Sequence, residues 1–125
     1  MIVDTDVLIW FLRGRESAAA FIDGLDGVSL SAVSYMELVQ GMRNNRELRV
    51  LRHTLNHQRW SVLVINETIC SRAMTYVEQH CLTDSLQMAD ALIAATCIEY
   101  GEPLATANIK HFRPIRELVV EPYFP

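Results

Sequence analysis

Short apolar segments alternate with longer stretches of helical periodicity along this chain, and that alternation limits its fold more than any other feature. Met1 to Asp4 reads as a strand, and Thr5-Asp6 opens a helix through Val7, Leu8, Ile9, Phe11 and Leu12 that Gly14 ends. Glu16 to Ile22 reads as a second helix, Gly24 to Gly27 as a turn, and Val28 to Ser31 as a strand. Ser31 or Ser34 caps the next helix, and Gly41 to Asn45 separates it from an arginine-rich one. Val62 to Ile65 is the third expected strand, followed by a helix over Glu67 to Cys81. Thr83-Asp84-Ser85 supplies start signals for a helix running to Tyr100, with Gly101 and Pro103 behind it. Leu104 to Thr106 and Leu118 to Val120 are the last expected strands, and Glu121 to Pro125 closes the chain. The pattern predicts an α/β fold with a mostly parallel sheet of four to five strands, helices covering both faces. With 125 residues, half of them hydrophobic, one compact domain over 1–125 is expected.

Met1-Ile2-Val3 runs into Asp4 without a basic region, and Val7 to Leu12 is too short to span a bilayer, so a soluble, cytoplasmic protein without membrane contact is expected. Cys70, Cys81 and Cys97 are odd in number, lack C-x-x-C spacing and fall in helical segments, which reads as buried free thiols. A net charge of -4 argues against binding nucleic acid through bulk positive charge. Yet Arg43, Arg46, Arg49, Arg52 and Arg59 fall in one stretch, either a solvated helix face or an arm that contacts phosphate.

Asp90 carries the strongest chemical signal. Leu86, Ile93, Ala94 and Cys97 share its helical face, and a carboxylate in an apolar column must be protonated, paired with a cation or bound to a metal. Asp4 follows the same logic at the end of an apolar strand, although it or Asp6 could simply cap the helix that begins near Thr5. Glu37 stands near an apolar helix face, but a Ser34 cap would put it at the third helical position of a capping box. Gathered together, these acids need compensating cations, and oxygen-only ligands select Mg²⁺ or Mn²⁺. Such ions activate water for attack on a phosphodiester, so no serine, cysteine or histidine nucleophile is required. His53 and His57 stand one helical turn apart, but a zinc site lacks a third ligand there.

Four segments, Ile2-Val3-Asp4-Thr5-Asp6-Val7-Leu8-Ile9, Ser34-x-x-Glu37-Leu38, Asp90 to Ala95 and Leu104 to Phe112, together resemble the PIN-domain nucleases, and most of all the VapC toxins of prokaryotic toxin–antitoxin modules. The resemblance implies a three-layer α/β/α domain, Mg²⁺- or Mn²⁺-dependent endoribonuclease activity, and a homodimer restrained by a cognate antitoxin. Asp4, Glu37 and Asp90 match the family's metal-binding acids, and Thr5 and Thr106 match hydroxyls that line or support the site. Asn108 stands where a fourth acid is common and brings an amide oxygen without charge; His111 lies near another such place. Arg13, Lys110, His111 and the arginine-rich helix are the expected RNA contacts. Two other readings are open: a domain that keeps the scaffold but only binds or dimerises, and a phosphatase, since Asp4-Thr5-Asp6 is similar to the D-x-D start of haloacid-dehalogenase enzymes. A single lysine, Lys110, and a short chain speak against the phosphatase.

Overall fold

The side chains of a strand alternate between its faces, and here that alternation divides the interior into two layers. In the computed structural model, which describes residues 1–125, the strands are β1 (Ile2–Val3), β2 (Ser29–Ser31), β3 (Ser61–Leu63), β4 (Leu104–Thr106) and β5 (Val120–Pro122). The helices are α1 (Thr5–Leu12), α2 (Glu16–Asp23), α3 (Ala32–Gln40), α4 (Asn45–Gln58), α5 (Glu67–Asp84), α6 (Met88–Tyr100) and α7 (Ile109–Phe112). All strand pairs are parallel, in the order β3-β2-β1-β4-β5. Ile2 and Leu104 point into one layer with Ile69, Ala73 and Tyr76 of α5 and Ile93 and Ala94 of α6. Their neighbours Val3 and Ala105 point into the other, with Val7 and Leu8 of α1, Ile22 of α2 and Leu51 of α4. The result is the expected three-layer α/β/α arrangement around a central sheet.

Several boundaries differ from the sequence reading, each for a local reason. Thr83 and Asp84 do not open α6; they complete α5, which ends where Ser85 turns left-handed at φ 57°. A short connection then leads to α6 behind Gln87. β3 begins one residue earlier than expected, and β5 falls at 120–122 because Leu118 is spent in the core before the strand starts. Pro122 is tolerated because β5 is an edge strand. The short α7 has no counterpart in the sequence reading. Only Cys97 is buried, where desolvation pushes its thiol up to about 12; Cys70 and Cys81 lie off the buried face of α5 and are exposed. No helix is long and apolar enough to cross a membrane.

Leu104 is fully buried at the strand that neighbours β1. Leu104→Ala leaves a cavity beneath the sheet, so urea denaturation should show a loss of about 3 kcal/mol with an unchanged m-value.

Candidate active site

Strand order decides which distant side chains meet. From β1 the chain steps outward through β2 and β3 on one side, while β4 and β5 lie on the other, so the crossovers diverge at the β1/β4 boundary and open a crevice at the strands' carboxyl ends. The register pairs Val3 with Ala105, and the Asp4 N–H donates to the Ala105 carbonyl at 2.9 Å. Asp4 and Thr106, 102 residues apart, therefore stand side by side, and the Thr106 hydroxyl donates to Asp4 Oδ2 at 2.7 Å.

Asp4 is also the N-cap of α1, where its Oδ1 accepts the Thr5 N–H at 2.8 Å. Capping and a place in the crevice thus coincide in one carboxylate. Only 5% of Asp4 is exposed, and burial, with the negative charge of Asp6 adding to it, raises its pKa from 3.8 to about 7. The hydroxyl of Thr106 and the N–H of Thr5 oppose that rise, while Asp90 adds to it.

Asp90 sits in the first turn of α6, and Ile93, Ala94 and Cys97 along its face are buried, as its column predicts; Leu86 is buried too, but it precedes the helix. Its carboxyl is raised chiefly by burial, and Glu37 adds repulsion; His111 and the Gln87 N–H pull the other way. His111 Nδ1 lies 3.8 Å from Asp90 Oδ2. Asp90 therefore faces both the crevice acids and a side chain of α7.

Glu37 differs from the sequence reading in two ways. Of the two caps the sequence offers for α3, Ser31 takes the place, accepting the Val33 N–H at 3.1 Å, so the capping box expected of Ser34 does not form; and Glu37 is exposed, not turned into the core. Its carboxylate instead meets the Thr5 hydroxyl at 2.7 Å. Buried Ser34 lies 2.9 Å from the same hydroxyl. Thr5 has one proton to give; the carboxylate is the stronger acceptor, which leaves Ser34 to donate to Thr5.

Two contributors escape the sequence reading of the site. Asp6 reads as a cap, and its Oδ1 does accept the Val7 N–H at 2.7 Å, but its Oδ2 reaches across to the Ala107 N–H at 3.0 Å. It thereby ties the N-terminus of α1 to the turn that carries Asn108. The signal for Asp6 is a second acid in an apolar run; for Ser34 there is none beyond its capping pattern. Thr106 holds the same turn from below, accepting the Asn108 N–H at 3.0 Å. The Asn108 side chain is exposed and makes no cap hydrogen bond. Arg13 is exposed and lines a groove together with Glu37, whereas Lys110 is exposed on α7 with no bond to any of the acids.

No three His, Cys, Asp or Glu side chains converge as a ready-made metal cage. The acids nevertheless repel one another in sequence, Asp4 with Asp90 and Asp90 with Glu37, and no lysine or arginine pairs with them. A hard divalent ion suits this donor set, since magnesium is commonly held by one or two carboxylates and keeps several waters.

Without a cation, a proton on Asp4 favours the folded state. That contribution is complete below about pH 4 and is lost as pH rises through about 7, so chelator-treated protein should weaken by a few kcal/mol between those limits. Denaturation curves at several pH values check this: Asp4→Asn should remove most of the slope, and an unchanged slope in the variant would refute the assignment.

The family model of the PIN domain matches residues 1–117. "Ribonuclease VapC10" of Mycobacterium tuberculosis is 33% identical over 98% of this chain and 92% of its own length. "Ribonuclease VapC1" of Methanocaldococcus jannaschii is 26% identical over 98% of this chain and 86% of its own. Among solved structures, a toxin–antitoxin complex from Klebsiella pneumoniae aligns with a TM-score of 0.83 at 23% identity, covering 98% of this chain and 97% of that one. With the family model spanning most of its length and a VapC ribonuclease one-third identical along nearly all of it, the chain belongs to the PIN-domain family.

Proposed function

We propose that the chain, acting as a single PIN domain over 1–125, is a metal-dependent endoribonuclease and the toxin of a type II toxin–antitoxin pair in the cytoplasm. The observation that carries this reading is the buried Asp4 at the strand boundary, with Asp90 and Glu37 around the same crevice and no basic side chain of Arg or Lys neutralising them. Toxin–antitoxin complexes among the structural neighbours and VapC ribonucleases among the relatives support a cognate antitoxin and an RNA substrate. A homodimer is part of the same reading.

Asp4, Asp90 and Glu37 would hold Mg²⁺ or Mn²⁺. When bound, the ion acidifies a water and offsets negative charge at the phosphoryl oxygens. Thr106 and the Thr5 N–H fix the Asp4 carboxylate through one hydrogen bond to each oxygen, leaving lone pairs on both to face a cation. Thr5 orients Glu37 in the same way. Asn108, on a turn pinned by Asp6 and Thr106, presents a neutral amide that orients water or a phosphate oxygen without adding repulsion. His111 lies beside Asp90, and Arg13 and Lys110 further out supply the cationic side of the site.

A non-catalytic binding domain is the competing reading, favoured by the missing fourth acid at Asn108. The experiment is cleavage of RNA with Mg²⁺ or Mn²⁺ by wild type, Asp4→Asn and Asp90→Asn. Each substitution should slow cleavage by about 100-fold or more, equivalent to roughly 3 kcal/mol of lost stabilisation. Full activity in either variant, or in excess chelator, would sink the proposal. A haloacid-dehalogenase mechanism would instead leave an acyl phosphate on Asp4.

A further inference from the structure

α4 and the residues that flank it concentrate positive charge to a degree that the chain as a whole conceals. Residues 43–59 hold five of the eleven basic residues and one of the fifteen acids, a net charge of +4 within a chain of net -4. Burial explains only one side of this helix: Leu51 is buried, Leu55 is partly buried against the same layer, and Leu48 is half-buried. Arg46, Arg49, His53 and His57 recur at spacings of three, four and four, so they share the opposite face, and all four are exposed. Arg43 is neutralised by Glu47 at 3.0 Å; Arg46 and Arg49 have no acidic partner. The rings of His53 and His57 lie nearly parallel, with centroids 5.6 Å apart and an interplanar angle of 11°.

This face leads to the candidate active site. Arg43 and Arg46 line a groove of about 740 Å³ with Arg13 and Glu37, and from Arg46 to His57 the helix runs on for roughly 17 Å. We propose that the outer face of α4 is a track for single-stranded RNA leaving the acid cluster, its arginines contacting phosphates and its paired imidazoles stacking on a base. The inference rests on the ribonuclease reading. Its chemistry is that of single-strand binding surfaces, which combine a cationic path with ring platforms. Long-range attraction also matters here, because the surrounding chain is acidic and would otherwise repel the substrate.

The test measures binding by fluorescence anisotropy with a labelled, cleavage-resistant 2′-O-methyl RNA of about 20 nucleotides, in Mg²⁺ at KCl between about 50 and 200 mM. Cleavage of the unmodified RNA is followed in parallel. Arg46→Gln/Arg49→Gln should weaken binding about 10-fold and flatten the plot of log affinity against log salt by about 1.4, because two phosphates keep their counterions. His53→Ala/His57→Ala should weaken binding about 5-fold with the salt slope unchanged, because stacking releases no counterions. In cleavage, both double variants should raise KM and leave kcat within about 2-fold. Wild-type RNA affinity and slope in the arginine variant would overturn the proposal, and loss of poly-glutamate binding in that same variant would assign the face to an acidic polypeptide. An absence of RNA cleavage by wild type, with the binding changes as stated, would overturn the ribonuclease reading and leave the track standing.

Discussion

The hydrogen bond from Thr106 to Asp4 joins the two halves of the sheet at the point where its connections diverge. It is buried, it couples residues from opposite ends of the sequence, and together with the Thr5 N–H it fixes the direction of the Asp4 carboxylate. Around it the remaining contacts form a chain. The Asn108 N–H donates to the same Thr106 hydroxyl, Asp6 accepts from the adjoining Ala107 N–H, and the Thr5 hydroxyl, next to Asp4, reaches Glu37. Three helices and two strands thus meet through five polar side chains.

That network has an electrostatic cost. Carboxylates gathered in a partly desolvated crevice resist ionisation, and the raised pKa values of Asp4, Asp6 and Asp90 have burial as their first cause. Asp6 offsets its burial with two backbone N–H donors, which makes it a structural tie that keeps its own charge close to Asp4. Asp90 has weaker compensation, an exposed His111 at 3.8 Å and the Gln87 N–H. Strain of this kind is what a cation-dependent site stores.

Much of this was legible in the sequence. The alternation of strand and helix signals predicts the layers because the two periods, near two and near 3.6, each leave one apolar face to bury. Asp90 was legible because the residues sharing its helical face are all apolar, and burial of that column is a local matter. Strand order was not legible, since nothing in the residues of β1 says that β4, and not β3, lies beside it; the meeting of Asp4 with Thr106 depends on that choice. Glu37 was half legible. Its Ser-x-x-Glu spacing suits a capping box, but Ser31 takes the cap one turn earlier and frees both Ser34 and Glu37 for Thr5. Thr83-Asp84-Ser85 has the composition of a helix start, whereas α5 runs through Asp84 and only Ser85 turns left-handed.

The sequence distance between β1 and β4 has a consequence for synthesis. Chains leave the ribosome amino end first, and domains assemble as the needed segments emerge. Asp4 and Thr5 are made early, but the strand that aligns Asp4 and the turn that carries Asn108 come a hundred residues later. Until they emerge, Asp4 lacks the Thr106 hydroxyl and Asp6 lacks the Ala107 N–H, so the crevice is incomplete on a ribosome-bound chain. The crevice is therefore among the last parts of the fold for which the chain has all the pieces.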